Sequence, residues 1–314
     1  MEHYVTLFDS LYLPQGLALH MSMQRCAQDY TLWILCMDDE VHGVLSQFQL
    51  PNVCLLQLSK LETDALKRVK PTRTKGEYCW TVTPFAPRFV FEADTNVGRV
   101  TYLDADMWFR KNPEPIFREF EASGKQVLIT DHAYAPEYDE SEASGQYCVQ
   151  FVTFTREGGE IVRAWWEARC VEWCFARVED GKFGDQKYLD DWPERFANHV
   201  YVLHNKELLL APWNATRFPY SGAVCWHFHG LRILVKSNNV LGVICGNYPL
   251  PLTTRRHVYA KYLEDLRIAT KQMLQINVKV LNQGERTLKK AMRAFLVGSW
   301  HQLRRINVNI YMRM

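Results

Sequence analysis

The sequence predicts an α/β protein built on a mainly parallel sheet, and two observations carry that expectation. Short apolar runs alternate with helical stretches over the first 60 residues, the rhythm that right-handed strand–helix–strand crossovers require. The first two runs end in polar pairs, Asp9-Ser10 and Asp38-Asp39, at the strand ends where open α/β sheets bind ligands. A chain of 314 residues suffices for one large domain with a substantial core.

The elements follow in order. Tyr4–Phe8 reads as a strand, and Pro14 then opens a helix over QGLALHMSMQRCA, since proline suits a first helical turn. Thr31–Met37 is a second buried strand, Glu40–Phe48 a short helix and Asn52–Leu58 a third strand. Residues 60–96 look helical, with a break around Pro84 and Pro87. Arg99–Leu103 is a strand that runs straight into Asp104-Ala105-Asp106, and Gln126–Thr130 is another, ending in Asp131-His132. The polar stretch Tyr134–Gly145 reads as a mobile loop, Gln146–Thr155 as a strand and Glu160–Arg177 as one long helix. Residues 185–250 give only short irregular pieces, and Lys261–Gln272 is helical. The simplest division is one domain over 1–272 with a helical extension over 273–314.

Composition excludes several classes. The 47% hydrophobic and 23% charged content is that of an ordinary globular chain, not a disordered one. The net charge of +2 gives no basic footprint for nucleic acid, and no nucleic-acid partner is expected. Nine cysteines form no C-x-x-C pair, and Cys36 and Cys54 lie in apolar runs, as reduced core residues of a cytoplasmic protein would. MEHYVTLFDS lacks the charged start and apolar run of a signal peptide, and no stretch of about 18 apolar residues spans a membrane.

VTYLDADMWF is the most informative segment. A largely apolar strand delivers two carboxylates two positions apart, and in extended chain such side chains point the same way. Asp104 and Asp106 then converge on one hard cation, Mn²⁺ or Mg²⁺, which completes its shell with water and phosphate oxygens. The competing reading is a pair of solvated turn residues; a buried strand ending in two unpaired carboxylates argues against it.

CWHFHGLRIL sets two histidines two apart before Gly230. One imidazole beside two carboxylates favours Mn²⁺ over Ca²⁺, and Arg232 is placed to meet phosphate. The bland alternative is a pair of hydrogen-bonded core histidines. In KFGDQKYLDDW, Asp185 is read either as a helix N-cap or, with Gln186, as a contact to sugar hydroxyls.

Taken together, a strand ending in D-x-D, a G-D-Q segment and H-F-x-G resemble the retaining glycosyltransferases of the family 8 type. FDSLYLPQG, YLDADMWF, FGDQKYLDDW and LAPWN are similar to bacterial members encoded in surface-polysaccharide gene clusters. The resemblance covers roughly residues 4 to 270. It implies a single GT-A domain, a Rossmann-like fold with a mixed, mainly parallel sheet, and transfer of a sugar with retention from a nucleoside-diphosphate sugar, UDP by preference. The acceptor it implies is a glycan or a lipid-linked glycan. On this resemblance Asp104, Asp106 and His227 bind the metal, and Phe8, Asp9 and Ser10 line the nucleotide pocket with Asp38 nearby. Asp104 also touches the ribose, and Asp185 and Gln186 sit by the transferred sugar. Three departures bear on the donor. Tyr78-Cys79-Trp80-Thr81 lacks the family's arginine, Cys148 stands where an asparagine is usual, and K-P-W is missing after H-F-x-G, with Arg232 as the substitute.

From Lys279 to Met314 the chain carries eight basic residues and one acidic, Glu285. Leu288, Met292, Phe295, Trp300 and Leu303 recur at helical spacing among them. Such a helix over 285–305 either lies on an anionic membrane surface, at the inner face, or packs on the body or a partner subunit. Two alternatives to a transferase are a metal-dependent phosphohydrolase and a non-catalytic nucleotide- or sugar-binding protein of the same fold. An aspartyl phosphatase wants a small hydroxyl residue where Trp108 stands, and a nucleotidylyltransferase wants a Gly-rich, Arg-containing loop that LYLPQG does not supply.

Overall fold

A computed structural model describes residues 1–236, 239–246, 248–284 and 310–311. The central sheet has seven strands: β1 (Glu2–Phe8), β2 (Tyr30–Cys36), β3 (Val53–Gln57), β4 (Arg99–Leu103), β6 (Val127–Asp131), β7 (Tyr147–Thr155) and β8 (Val200–Val202). Their order is β3-β2-β1-β4-β7-β6-β8. Pairing is parallel from β3 through β4 and between β6 and β8, and antiparallel on both sides of β7. The sheet is therefore mixed and mainly parallel. Alternate residues enter opposite cores: Tyr4 and Phe8 of β1 pack on one face, Val5 and Leu7 on the other. Burial on both faces explains why these strands read as nearly continuous apolar runs.

The chain moves outward from β1 through β2 to β3, then returns to place β4 on β1's other side. The gap between the carboxyl ends of β1 and β4 is thus a topological switch point, the position at which such sheets bind ligands. Asp9 follows β1 and Asp104 follows β4.

Several expectations are corrected. Residues 60–96 are helical with the expected break at Pro84, between Lys75–Val82 and Phe85–Ala93, but not at Pro87, and a further break separates them from Asp64–Val69. The first break falls at Thr74, whose hydroxyl and Glu77 make a reciprocal capping box that starts a new helix. The helix expected over Glu160–Arg177 stops at Glu172, because Trp173 turns extended and stacks with Arg177 and Lys182 instead. The supposed loop Tyr134–Gly145 contains two short helical turns, Pro136–Tyr138 and Ser141–Ser144. The stretch 185–250, expected as short irregular pieces, contributes strands to two small sheets, among them the six- and seven-residue strands Leu231–Lys236 and Asn239–Cys245. One joins β5 (Met107–Phe109), β9 (Leu209–Leu210) and β10 (Cys225–His227); the other joins β11 (Leu231–Lys236), β12 (Asn239–Cys245) and β13 (Ile310–Tyr311).

Beneath β5, Trp108 donates its indole N–H to Asp265 at 2.6 Å, and Arg25 pairs with the same carboxylate. Asp265 lies on the helix Ala260–Gln275 and Arg25 on the helix Leu13–Cys26, so one buried carboxylate joins three elements. The described start of the extension also packs on the body. The Gln283 side chain accepts from Ile233 N at 2.9 Å and donates to Leu11 O at 2.5 Å. The basic segment 285–305 lies outside the described residues. No helix among those described is long and apolar enough to cross a membrane.

Candidate functional site

A cavity of about 640 Å³ opens at the β1/β4 switch point. Its floor is the Asp104–Asp106 segment. The two carboxylates converge, though not by strand alternation: β4 ends at Leu103, and Met107 N donates to Asp104 O at 3.1 Å, closing a tight turn. After the turn β5 pairs antiparallel with β10, and His227 falls opposite Met107. That register carries a residue from far along the chain to the aspartates. His227 Nε2 lies 3.1 Å from Asp106 Oδ1 and 3.6 Å from Asp104 Oδ2.

The three side chains could hold a metal ion: one ligand atom from each lies within 4.8 Å of the others. The donor set fits. Two carboxylate oxygens and one imidazole nitrogen suit a hard to borderline divalent cation. The neighbours fit too. His227 Nδ1 donates to Gln150 Oε1 at 2.7 Å, which turns Nε2 toward the carboxylates. Tyr102 donates its hydroxyl to Asp104 Oδ1 at 3.0 Å. Burial raises the Asp104 carboxyl above its usual range. Burial acts on Asp106 in the same sense, but the charge and hydrogen bond of His227 outweigh it and hold Asp106 at about 2. Burial disfavours charge on His227, yet Asp106 raises the imidazole well above its ordinary value.

Phe8 and Asp9 line the cavity wall after β1, with Tyr12 and Lys75 beside them. Ser10 and Asp38 are placed just behind that wall and do not line it. Asp38 Oδ2 accepts from Ser10 N and Ser10 Oγ, both at 3.0 Å, while Oδ1 caps the helix Asp39–Phe48 through Val41 N at 2.8 Å. This pair fixes the turn after β1. Arg232 also lines the cavity, its guanidinium 5.8 Å from the Tyr12 ring. His229 lines the cavity against Trp213 and stays out of the triad.

Asp185 is 5% exposed and lines the same cavity. It is not the helix cap. The 3-10 turn Lys187–Asp191 starts after Gln186 and has no side-chain cap. Trp166 donates its indole N–H to Asp185 O at 2.8 Å, anchoring the backbone. Gly184 precedes it at φ +53, with its hydrogen facing Trp80, where a Cβ would lie 3.3 Å from the ring. Burial, reinforced by Asp104, pushes the Asp185 carboxyl up to about 8. Gln186 also lines the cavity, but its amide N–H donates to Ser144 O at 2.7 Å and pins the 134–145 segment. Cys148 is buried between His132 and His227. Burial raises its thiol, but His132 outweighs that and the thiol sits at about 7.

Sequence reasoning missed Gln150, Lys75 and the aromatic side chains Tyr134 and Tyr248 that line the cavity. The one signal for Gln150 is a lone amide inside the apolar strand YCVQFVTFT.

No family model matches the chain. Among solved structures, it resembles the galactosyltransferase LgtC in complex with donor and acceptor sugar analogs. The TM-score is 0.51 at 10% identity, over 85% of this chain and 95% of that one. It also resembles the glycosyltransferase GlyE of Streptococcus pneumoniae TIGR4, with a TM-score of 0.51 at 14% identity over 90% of this chain and 65% of that one. These likenesses establish a GT-A fold. The uncharacterized protein YfnF of Bacillus subtilis (strain 168) is 31% identical over 250 residues, 74% of this chain and 82% of its own length. At that identity and coverage, the chain belongs to the family of YfnF.

Proposed function

We propose that the chain is a metal-dependent glycosyltransferase that moves a sugar from a nucleoside-diphosphate sugar to a glycan or lipid-linked glycan acceptor. The observation that carries this reading is the convergence of Asp104, Asp106 and His227 at the floor of a cavity sited at the β1/β4 switch point. The GT-A fold shared with LgtC, whose structure holds donor and acceptor sugar analogs, supports it.

In this reading Asp104, Asp106 and His227 hold Mn²⁺ or Mg²⁺, which as a Lewis acid neutralises charge on a leaving diphosphate. Phe8 and Asp9 line the nucleotide side, and Arg232 contacts the diphosphate. Ser10 and Asp38 act one step removed, by fixing the wall that Asp9 belongs to. Asp185 hydrogen-bonds a hydroxyl of the transferred sugar. Gln186 holds the 134–145 segment against that sugar's site. UDP is the preferred nucleotide, retention the expected outcome and surface-polysaccharide synthesis the expected setting.

Isothermal titration with UDP, GDP and ADP, each with and without Mn²⁺, tests the reading. One nucleoside diphosphate should bind only with the metal, and the matching nucleotide sugar should be hydrolysed slowly. Metal-independent binding of all three, or no binding of any of them with or without Mn²⁺, rejects a metal-dependent transferase. A second expectation concerns Gln150. Gln150→Leu removes the acceptor that orients His227 and should weaken Mn²⁺ about 10–100-fold, by titration or electron paramagnetic resonance, with Gln150→Glu retaining most of the affinity. Unchanged affinity in the leucine variant would show that His227 needs no such support.

A further inference from the structure

The cavity has two unlike walls. On the β1 side stand Asp9, Tyr12 and Lys75; on the side beyond the aspartates stand aromatic rings with polar edges. We infer that Tyr134 and Tyr248, backed by the buried Trp213, form a subsite for a pyranose ring of the acceptor, an inference that rests on the transferase reading.

The wall is built and held. Trp213 donates its indole N–H to His132 O at 2.8 Å, and Asn214 donates its amide to the same carbonyl at 3.0 Å. Tyr134 stacks on His132 with ring centroids 4.7 Å apart, one face thereby covered. Trp213 meets the metal-site imidazole His227 edge to face at 5.3 Å. Trp213 is 4% exposed, so it backs the wall and connects Tyr134 to that imidazole.

The polar complement is equally specific. The hydroxyls of Tyr134 and Tyr248 and the carboxylate of Glu140 have no hydrogen-bond partner among the described residues, although all three side chains line the cavity. A pyranose presents a flat C–H face ringed by hydroxyl groups that donate and accept. Rigid aromatic faces offer it contact area at low entropic cost, and the free phenols and carboxylate match its hydroxyls. A lipid chain would leave these polar groups unpaired. A nucleobase could stack here too, so the test separates it.

Saturation-transfer NMR on the full chain reads the wall directly. The probes are methyl β-D-glucopyranoside, methyl β-D-galactopyranoside and methyl N-acetyl-β-D-glucosaminide, each with and without UDP and Mn²⁺. At least one should receive saturation from the protein's aromatic protons. Tyr248→Ala, at a partly exposed position, should weaken that glycoside about tenfold, and Tyr248→Phe should lose only part of it. UDP affinity in the presence of Mn²⁺ should stay within about twofold of the parent in both variants. Loss of UDP binding in Tyr248→Ala would place the base on this wall and overturn the assignment, as would glycoside binding that neither variant changes. Binding of none of the three glycosides to the parent chain overturns it as well. Because the glycosides are also measured alone, a chain that takes up a pyranoside but no nucleotide would sink the transferase reading and leave the subsite standing.

Discussion

Asp106→Ala is expected to reduce Mn²⁺-dependent binding of a nucleoside diphosphate by roughly a thousandfold, about 4 kcal/mol. The side chain is 13% exposed and lies closest to His227. Its removal leaves Asp104 and His227 as the remaining protein donors of the triad. A divalent ion then loses one anionic ligand in a site where water and phosphate supply the rest of the shell. The fold should survive, because the backbone carries the local structure. Phe228 N donates to Asp106 O at 2.9 Å, and the Met107 N to Asp104 O turn needs no side chain. Titration with Mn²⁺ and nucleotide, set beside a melting curve, gives both readings. Retained metal-dependent binding in a folded Asp106→Ala protein would refute the assignment of this carboxylate as a ligand.

Asp265→Ala should lower stability by about 3 kcal/mol, a fall of roughly 6–12 °C in melting temperature. The carboxylate is 6% exposed and accepts from the buried Trp108 indole while pairing with Arg25. Arg25 is itself half exposed, so water compensates much of its loss. The indole N–H has no such recourse, and its orphaning accounts for most of the effect. Trp108 sits within β5, the strand that fixes where His227 falls. Mn²⁺ affinity should therefore weaken along with stability, whereas Asp265→Asn, which keeps an acceptor for the indole, should restore part of both. A melting temperature unchanged in the alanine variant would contradict this account.

The parts of this protein that were legible in its sequence are those written in local pattern. Apolar runs bounded by Asp9 and by Asp38 marked β1 and β2, and the carboxylates after Leu103 marked a strand end. What failed depended on contacts distant in sequence or on turns too short to carry a period. Asp104 and Asp106 converge through a turn, not through the alternation of an extended strand. No local property of CWHFHG says that a three-residue strand will pair with Met107–Phe109; the sequence offered an imidazole beside the aspartates, and the family resemblance singled out His227, but neither gave the pairing. Asp185 looked equally suited to cap a helix, and burial against Trp166 decided otherwise. Asp38 and Ser10 occupy the right strand ends, yet they satisfy one another. Gln186 carries the expected motif, but its amide is spent on a neighbouring carbonyl.

The pairing of β5 with β10 also has a consequence for how such a chain can change in length. Each strand is three residues long, so His227 reaches the aspartates through one alignment alone. Deleting a single residue between Asp106 and Phe109 would slide Trp226 into that place and rotate the imidazole to the far face. Residues 216–222 of the connection between β9 and β10, exposed or half-buried, are under no such constraint on their own length, provided the connection's ends still meet the strands. Insertions and deletions among related chains should therefore collect in that connection and avoid the tetrad from Asp106 to Phe109, a pattern of gaps that records the register without reference to any residue's chemistry.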